Sequence, residues 1–134
     1  MSSIITNPLP YSSGIKYQFA KREPQILYWT ITALQPDGVT IVPVDDCDSV
    51  VASLYAGRNI DYPDDVPGTV LPEFSGLVLV DTGAGTGTYK VAIASGGSTF
   101  NPPPSANYVL VVDATRDGQP FGHWEQQAEV YVNS

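Results

Sequence analysis

The sequence is poor in the residues that most site chemistry needs. It holds one cysteine and one histidine among 134 residues. A single cysteine excludes an intrachain disulfide, and Cys47 with His123 falls short of the ligand set of a usual zinc site. Cys47 sits in "VDDCDS", among Asp45, Asp46 and Asp48. Negative neighbours disfavour a thiolate, so a reactive thiol is not expected, and folding in a reducing cytoplasm is compatible with this. Long apolar runs are also missing. None nears the roughly 18 residues of a membrane-spanning helix, and "MSSIITNPLP" lacks the basic and apolar regions of a signal peptide. No membrane partner is expected. Basic residues are few, six against fourteen acids, for a net charge of -8. Nucleic-acid binding depends on basic groups at phosphates, so that class is set aside.

What is present suits one folded domain. Hydrophobic residues make up 43% of the chain, and its length allows one ordinary core. Twelve prolines and twelve glycines punctuate short apolar runs, which predicts many turns and few helices. Charge is unevenly spread. Lys16, Lys21 and Arg22 precede the first acid, Glu23, so residues 1–22 carry +3. The remainder holds three basic residues against fourteen acids, a net charge of -11.

Residues 1–14, "MSSIITNPLPYSSG", show no amphipathic period and read as an extended arm. "IKYQFA" (15–20) alternates, as a first strand or as the arm's docking segment. "QILYWTITAL" (25–34) is β-branched and aromatic, a strong strand. "QPDG" (35–38) is a turn, and Pro43 in "VTIVPV" marks an edge strand. "SVVASLYAG" (49–57) alternates and is read as a strand. A long proline-bearing loop follows, "RNIDYPDDVPGTVLPEF", with an acidic tip at Asp61, Asp64 and Asp65. "GLVLVDTG" and "GTYKVAIAS" flank a glycine turn. The closing "YVLVVDATRDGQPFGHWEQQAEVYV" reads as a hairpin around Asp117-Gly118. Its predicted inner face holds Tyr108, Leu110, Val112, Ala114, Trp124, Ala128, Val130 and Val132. Gln126 breaks that inward run, as a bulge or the end of a sheet. His123 and Glu125 fall on the solvent face, which argues against a catalytic pair. Seven or eight short strands with turns every eight to twelve residues predict a β-sandwich.

Other chemistry is weakly signalled. "GAGTGT" (83–88) lacks the following helix of a phosphate-binding loop, since "TYKVAIA" alternates with period two. Asp61, Tyr62, Asp64 and Asp65 form a possible ligand or cation loop without the spacing of a dedicated calcium site. No metal, cofactor or catalytic residue is expected. Trp29 and Trp124 are expected in the core, whereas Tyr11, Tyr17 and Tyr62 suit a contact surface.

The segments "GTYKVAIA" and "FNPPPSANYVLVVDATRDGQPFGHWEQQAEVYV" resemble the closing half of immunoglobulin-like and fibronectin-type sandwiches. There a tyrosine opens the penultimate strand after a proline-bearing corner, as Tyr108 does here, and the cysteine-free branch is meant. The whole layout resembles small bacteriophage virion proteins of the tail, baseplate, neck and capsid-decoration kind. That resemblance implies an all-β, immunoglobulin-like antiparallel sandwich of seven to eight strands (23–134) with an extended N-terminal arm (1–22). It implies a non-enzymatic structural protein of the virion, assembled in host cytoplasm. Its partners would be other virion proteins, including copies of itself. Ile4, Ile5, Leu9, Tyr11, Ile15, Lys16, Tyr17, Lys21 and Arg22 are the expected partner-binding residues. Ordering an arm of about 20 residues costs on the order of 20–40 kcal/mol, so it needs a surface to lie on. The alternative is a carbohydrate- or receptor-binding module of a fibre or baseplate.

Overall fold

The computed structural model describes residues 4–5, 17–22, 25–93 and 100–132, and only the backbone of residues 4–5. The described chain is all β apart from one short 3-10 turn, Pro72–Phe74. Its strands are β1 (Ile4–Ile5), β2 (Tyr17–Ala20), β3 (Gln25–Thr30), β4 (Thr32–Leu34), β5 (Ile41–Pro43) and β6 (Ser49–Ala56). They continue as β7 (Thr69–Val70), β8 (Leu77–Asp81), β9 (Thr88–Ile93), β10 (Ser105–Arg116) and β11 (Gln119–Tyr131).

One main sheet runs β2-β11-β10-β6-β8-β9-β3, with β7 attached to β6. All its pairings are antiparallel except β2 with β11, which is parallel. The sheet curls until its end strands meet. Tyr17 of β2 stacks on Trp29 of β3 at 5.4 Å. The Gln25 amide then does the work of a ladder between them. Its Oε1 accepts from the Ala20 N–H and its Nε2 donates to the Ala20 carbonyl, each at 2.8 Å. The result is a nearly closed, barrel-like sheet with a single core.

Alternation puts that core on the concave side. Trp29 and Trp124 meet at 5.7 Å between ring centres. Phe19, Phe74 and Phe100 form an edge-on trio that fills one part of the interior. Each large apolar side chain buried this way contributes about 1.5–3 kcal/mol.

The run 25–34 is not one strand. It breaks at the fully buried Ile31, whose N–H donates to Gly87 and whose carbonyl accepts from Val44. Beyond the break, β4 joins a second, three-stranded sheet in the order β1-β4-β5. Gly87 makes the crossing possible. Its φ is +73°, and a Cβ there would lie 2.3 Å from the Ile31 carbonyl oxygen.

The final hairpin forms as its sequence predicts. Asp117 and Gly118 both have positive φ, 55° and 75°, the conformation a tight hairpin turn requires. Gln126 corrects the reading: it stays in register opposite Leu110, points inward and is buried. The pairing irregularities lie at Ala114/Thr115 and Ser105/Tyr108 instead. At the first of these, Gly122 lets the Trp124 ring fold back over the backbone, with no room for a Cβ. Val109 and Val111 alternate with the inward residues of β10, and both are buried on the convex side. Something must therefore cover that side.

Candidate functional site

Over Val109 and Glu125 the cover is the loop that leaves β6. Arg58, its second residue, anchors it to the convex face of β10 and β11. Its Nε and Nη2 donate to the two carboxylate oxygens of Glu125 at 2.8 and 2.7 Å. Its Nη1 donates to the Pro67 carbonyl at 3.2 Å, tying both ends of the loop together. The guanidinium also lies over the Tyr55 ring, 5.0 Å from its centre. This ion pair is shielded, with side-chain exposures of 15% and 11%. A planar fork meeting a carboxylate in two parallel hydrogen bonds is the strong form of such a pair. It holds Arg58 above its ordinary value, the Glu125 hydrogen bond being the main cause, and Glu125 below its own, with Arg58 the main cause.

Glu125 was expected to face solvent. It does lie on the convex face, but the loop buries it, because a residue 67 positions away in sequence folds over it. His123 matches its expectation better and is 53% exposed. Its Nε2 lies 2.9 Å from Glu125 and its Nδ1 2.5 Å from Asp113, directly across the ladder. Burial opposes its charge, but the two carboxylates outweigh that and raise its pKa. Pro67, Arg58, Glu125, His123 and Asp113 thus form one continuous polar chain across the sheet.

The loop is also fixed from within. Asn59 Oδ1 accepts from the N–H groups of Asp61 and Tyr62. The Tyr62 carbonyl accepts from Asp65 and Val66, and Asn59 N–H donates to Val66. Between this loop and the sheet lies an open pocket of about 450 Å³, lined by Gly57, Arg58, Asn59, Ile60, Asp61, Val66, Asn107, Val109 and Gln127.

The acidic tip residues Asp61, Tyr62, Asp64 and Asp65 all lie exposed on this loop. Only Asp61 among them lines the pocket. Among the described residues, no group of three or more His, Cys, Asp or Glu side chains is placed to hold a metal ion. The Cys47 thiol is held up mainly by burial, and its N–H donates to the Tyr89 hydroxyl.

The arm residues are spread out. Ile4 and Ile5 form β1, paired with Leu34 and Ala33. Leu9, Tyr11, Ile15 and Lys16 lie outside the described residues. Tyr17 packs on Trp29 within the domain, and Phe19, two residues on, belongs to the core. Lys21 N–H donates to the Tyr131 carbonyl, while Arg22 N–H donates to Phe100 and its Nε to Asn101. Sequence reading passed over Arg58, Asn107 and Gln127. The one available signal was Arg58 itself, a lone cation at the head of an acidic loop.

A second surface feature lies on the convex side of the other sheet half. Ile26, Tyr28, Val78 and Val80 are at least half exposed there, around Lys90. No helix of the described residues is long and apolar enough to cross a membrane.

No protein-family model matches the chain, and no curated protein matches it significantly.

Proposed function

We propose that this chain is a non-enzymatic structural protein of a bacteriophage particle, joined to neighbouring virion proteins by its N-terminal arm and sheet edges. The observation that carries the assembly part is the seating of Ile4–Ile5 as an outer strand on β4. Strand addition to a sheet edge is a general mode of chain recognition. Eleven residues, 6–16, separate β1 from β2 in sequence, a tether of up to about 40 Å when extended. The same strand can therefore reach the β4 edge of an adjacent copy, and exchange of one element between identical protomers is a low-cost route to assembly.

Two further observations support the reading. The exposed apolar face around Ile26, Tyr28, Val78 and Val80 is the kind of surface that seats a neighbouring copy, whose acidic body would meet Lys90. Both ring nitrogens of His123 are engaged by carboxylates, which suits a fixed imidazolium better than a base. The immunoglobulin-like relationship is supported by Tyr108. Its hydroxyl donates to the Pro103 carbonyl at 2.6 Å, the corner that such sandwiches use before their penultimate strand. The phage assignment rests on the sequence resemblance.

The test is solution mass by light scattering for the full chain and for a chain lacking residues 1–16, which leaves β2 and Phe19 in place. The expected result is an oligomer that depends on the arm. Monomers in both cases, across the concentrations used, would overturn the arm-exchange reading.

A further inference from the structure

We propose that the pocket between the 57–68 loop and the convex face of β10 and β11 binds a neutral saccharide, held by the Asn107 and Gln127 amides and the Asp61 carboxylate. This goes beyond the assembly role and does not depend on it.

The pocket is built rather than incidental. Its wall is the loop, pinned by the Arg58 fork to Glu125 and by the Asn59 turn beneath Asp61. Its volume of about 450 Å³ falls within the range of roughly 300–1,000 Å³ typical of small-molecule sites. Val109 and Gln127 are paired across the β10–β11 ladder, so the sheet supplies a rigid base.

The lining selects the ligand class. Asn107, Gln127 and Asp61 make no side-chain hydrogen bond to another described residue, although all three line the pocket. Amides offer donors and an acceptor together, and a carboxylate offers acceptors only. Vicinal hydroxyls, each a donor and an acceptor, match that mixture. Ile60 and Val66 offer apolar surface for the C–H side of a sugar ring. Tyr62, next to Asp61 and 65% exposed, provides an aromatic face close by.

Charge decides against other ligands. The positive charge of Arg58 is spent on Glu125, which leaves Asp61 as the only uncompensated charge among the described residues of the lining. An anion would meet that carboxylate on a chain of net charge -8. A peptide bound by strand addition takes a sheet edge, whereas this pocket sits on a sheet face, at Val109, which pairs with Gln127 on one side and Tyr55 on the other.

The experiment is a titration of the full ¹⁵N-labelled chain, followed by amide correlation spectra. One arm uses free D-glucose, D-galactose, L-rhamnose and N-acetyl-D-glucosamine. A second uses soluble bacterial surface polysaccharide containing those sugars, and a third uses triglycine. The expected result is saturable shifts at Gly57, Asn59, Asn107 and Gln127 with at least one sugar. A response to the free sugars would point to a single-ring ligand, and a response to polysaccharide alone to a cell-surface one. Gln127→Ala and Asp61→Asn should each weaken binding about tenfold, the cost of one good hydrogen bond, with the rest of the spectrum unchanged. Asp64→Asn, outside the lining, should bind as the natural chain does. Saturable shifts with triglycine alone, shifts unaffected by both pocket variants, or no shifts with any sugar or polysaccharide would each overturn the proposal.

Discussion

At the scale of single residues, the convex face is governed by how Arg58, Glu125, His123 and Asp113 share charge. His123 has a raised pKa in the fold, so its protonated form stabilises the native state. That contribution is complete below its unfolded value, near 6.5, and is lost as pH rises through the higher folded value. Glu125 works in the opposite sense. Its lowered pKa gives stability that is present above its unfolded value, near 4.3, and lost as pH falls through the folded one. Thermal melting across pH should therefore show a plateau on the weakly acidic side of neutrality. His123→Gln should remove the decline above neutrality and leave the acid limb in place. An unchanged alkaline decline in that variant would assign the effect to another group.

Arg58 carries the larger structural load because its pair with Glu125 is shielded. Arg58→Ala leaves a covered carboxylate and releases the loop from Pro67, at an expected cost of about 1–3 kcal/mol in chemical denaturation. Hydrogen exchange should quicken at the N–H groups of Asn59 and Val66, which donate within the loop to the Val66 and Tyr62 carbonyls. Arg58→Lys should restore only part of the loss, since an ammonium cannot make the two parallel bonds.

At the scale of elements, the Gln25 side chain carries the polar link across the seam between β2 and β3, beside the Tyr17–Trp29 stack. Gln25→Ala would leave the Ala20 N–H and carbonyl without their amide partner, costing about 1–3 kcal/mol. Gly87→Ala should cost at least as much, because strain at positive φ adds to a clash with the Ile31 carbonyl. Denaturation midpoints of the two variants check both. The contrast between these sites explains what was legible in the sequence. Tyr108, the alternating aliphatics and Asp117-Gly118 declare a hairpin because strand faces and turn conformations are local properties. The Ile31 break is not local, since its partners are Gly87 and Val44. Gln126 looked like an interruption because a polar residue in an inward run has no visible partner in one dimension. The parallel pairing of β2 with β11 joins residues more than a hundred positions apart. The pocket was hidden for the same reason: Asp61, Asn107 and Gln127 meet only after the loop folds over the sheet.

At the scale of the whole molecule, salt should act on stability and on assembly in opposite directions. The body from residue 23 onward carries -11, and few cations dilute it. Self-repulsion on that scale opposes the compact state. Raising ionic strength from about 0.01 to 1 M shortens the screening length from roughly 30 to 3 Å. The chain lacking residues 1–16 keeps that acidic body, so its melting temperature should rise with salt. Assembly should respond the other way if charge contributes to it. The first 22 residues hold Lys16, Lys21 and Arg22 with no acid, and an acidic neighbour seated against that end of the molecule is held by an attraction that salt weakens. Light scattering on the full chain should therefore show the oligomer dissociating over the same range in which the shortened chain gains stability. An oligomer that tightens with salt would transfer the holding force from charge to apolar contact and strand pairing at Ile4–Ile5. The exchange geometry would survive that result, and the electrostatic role of the arm would not.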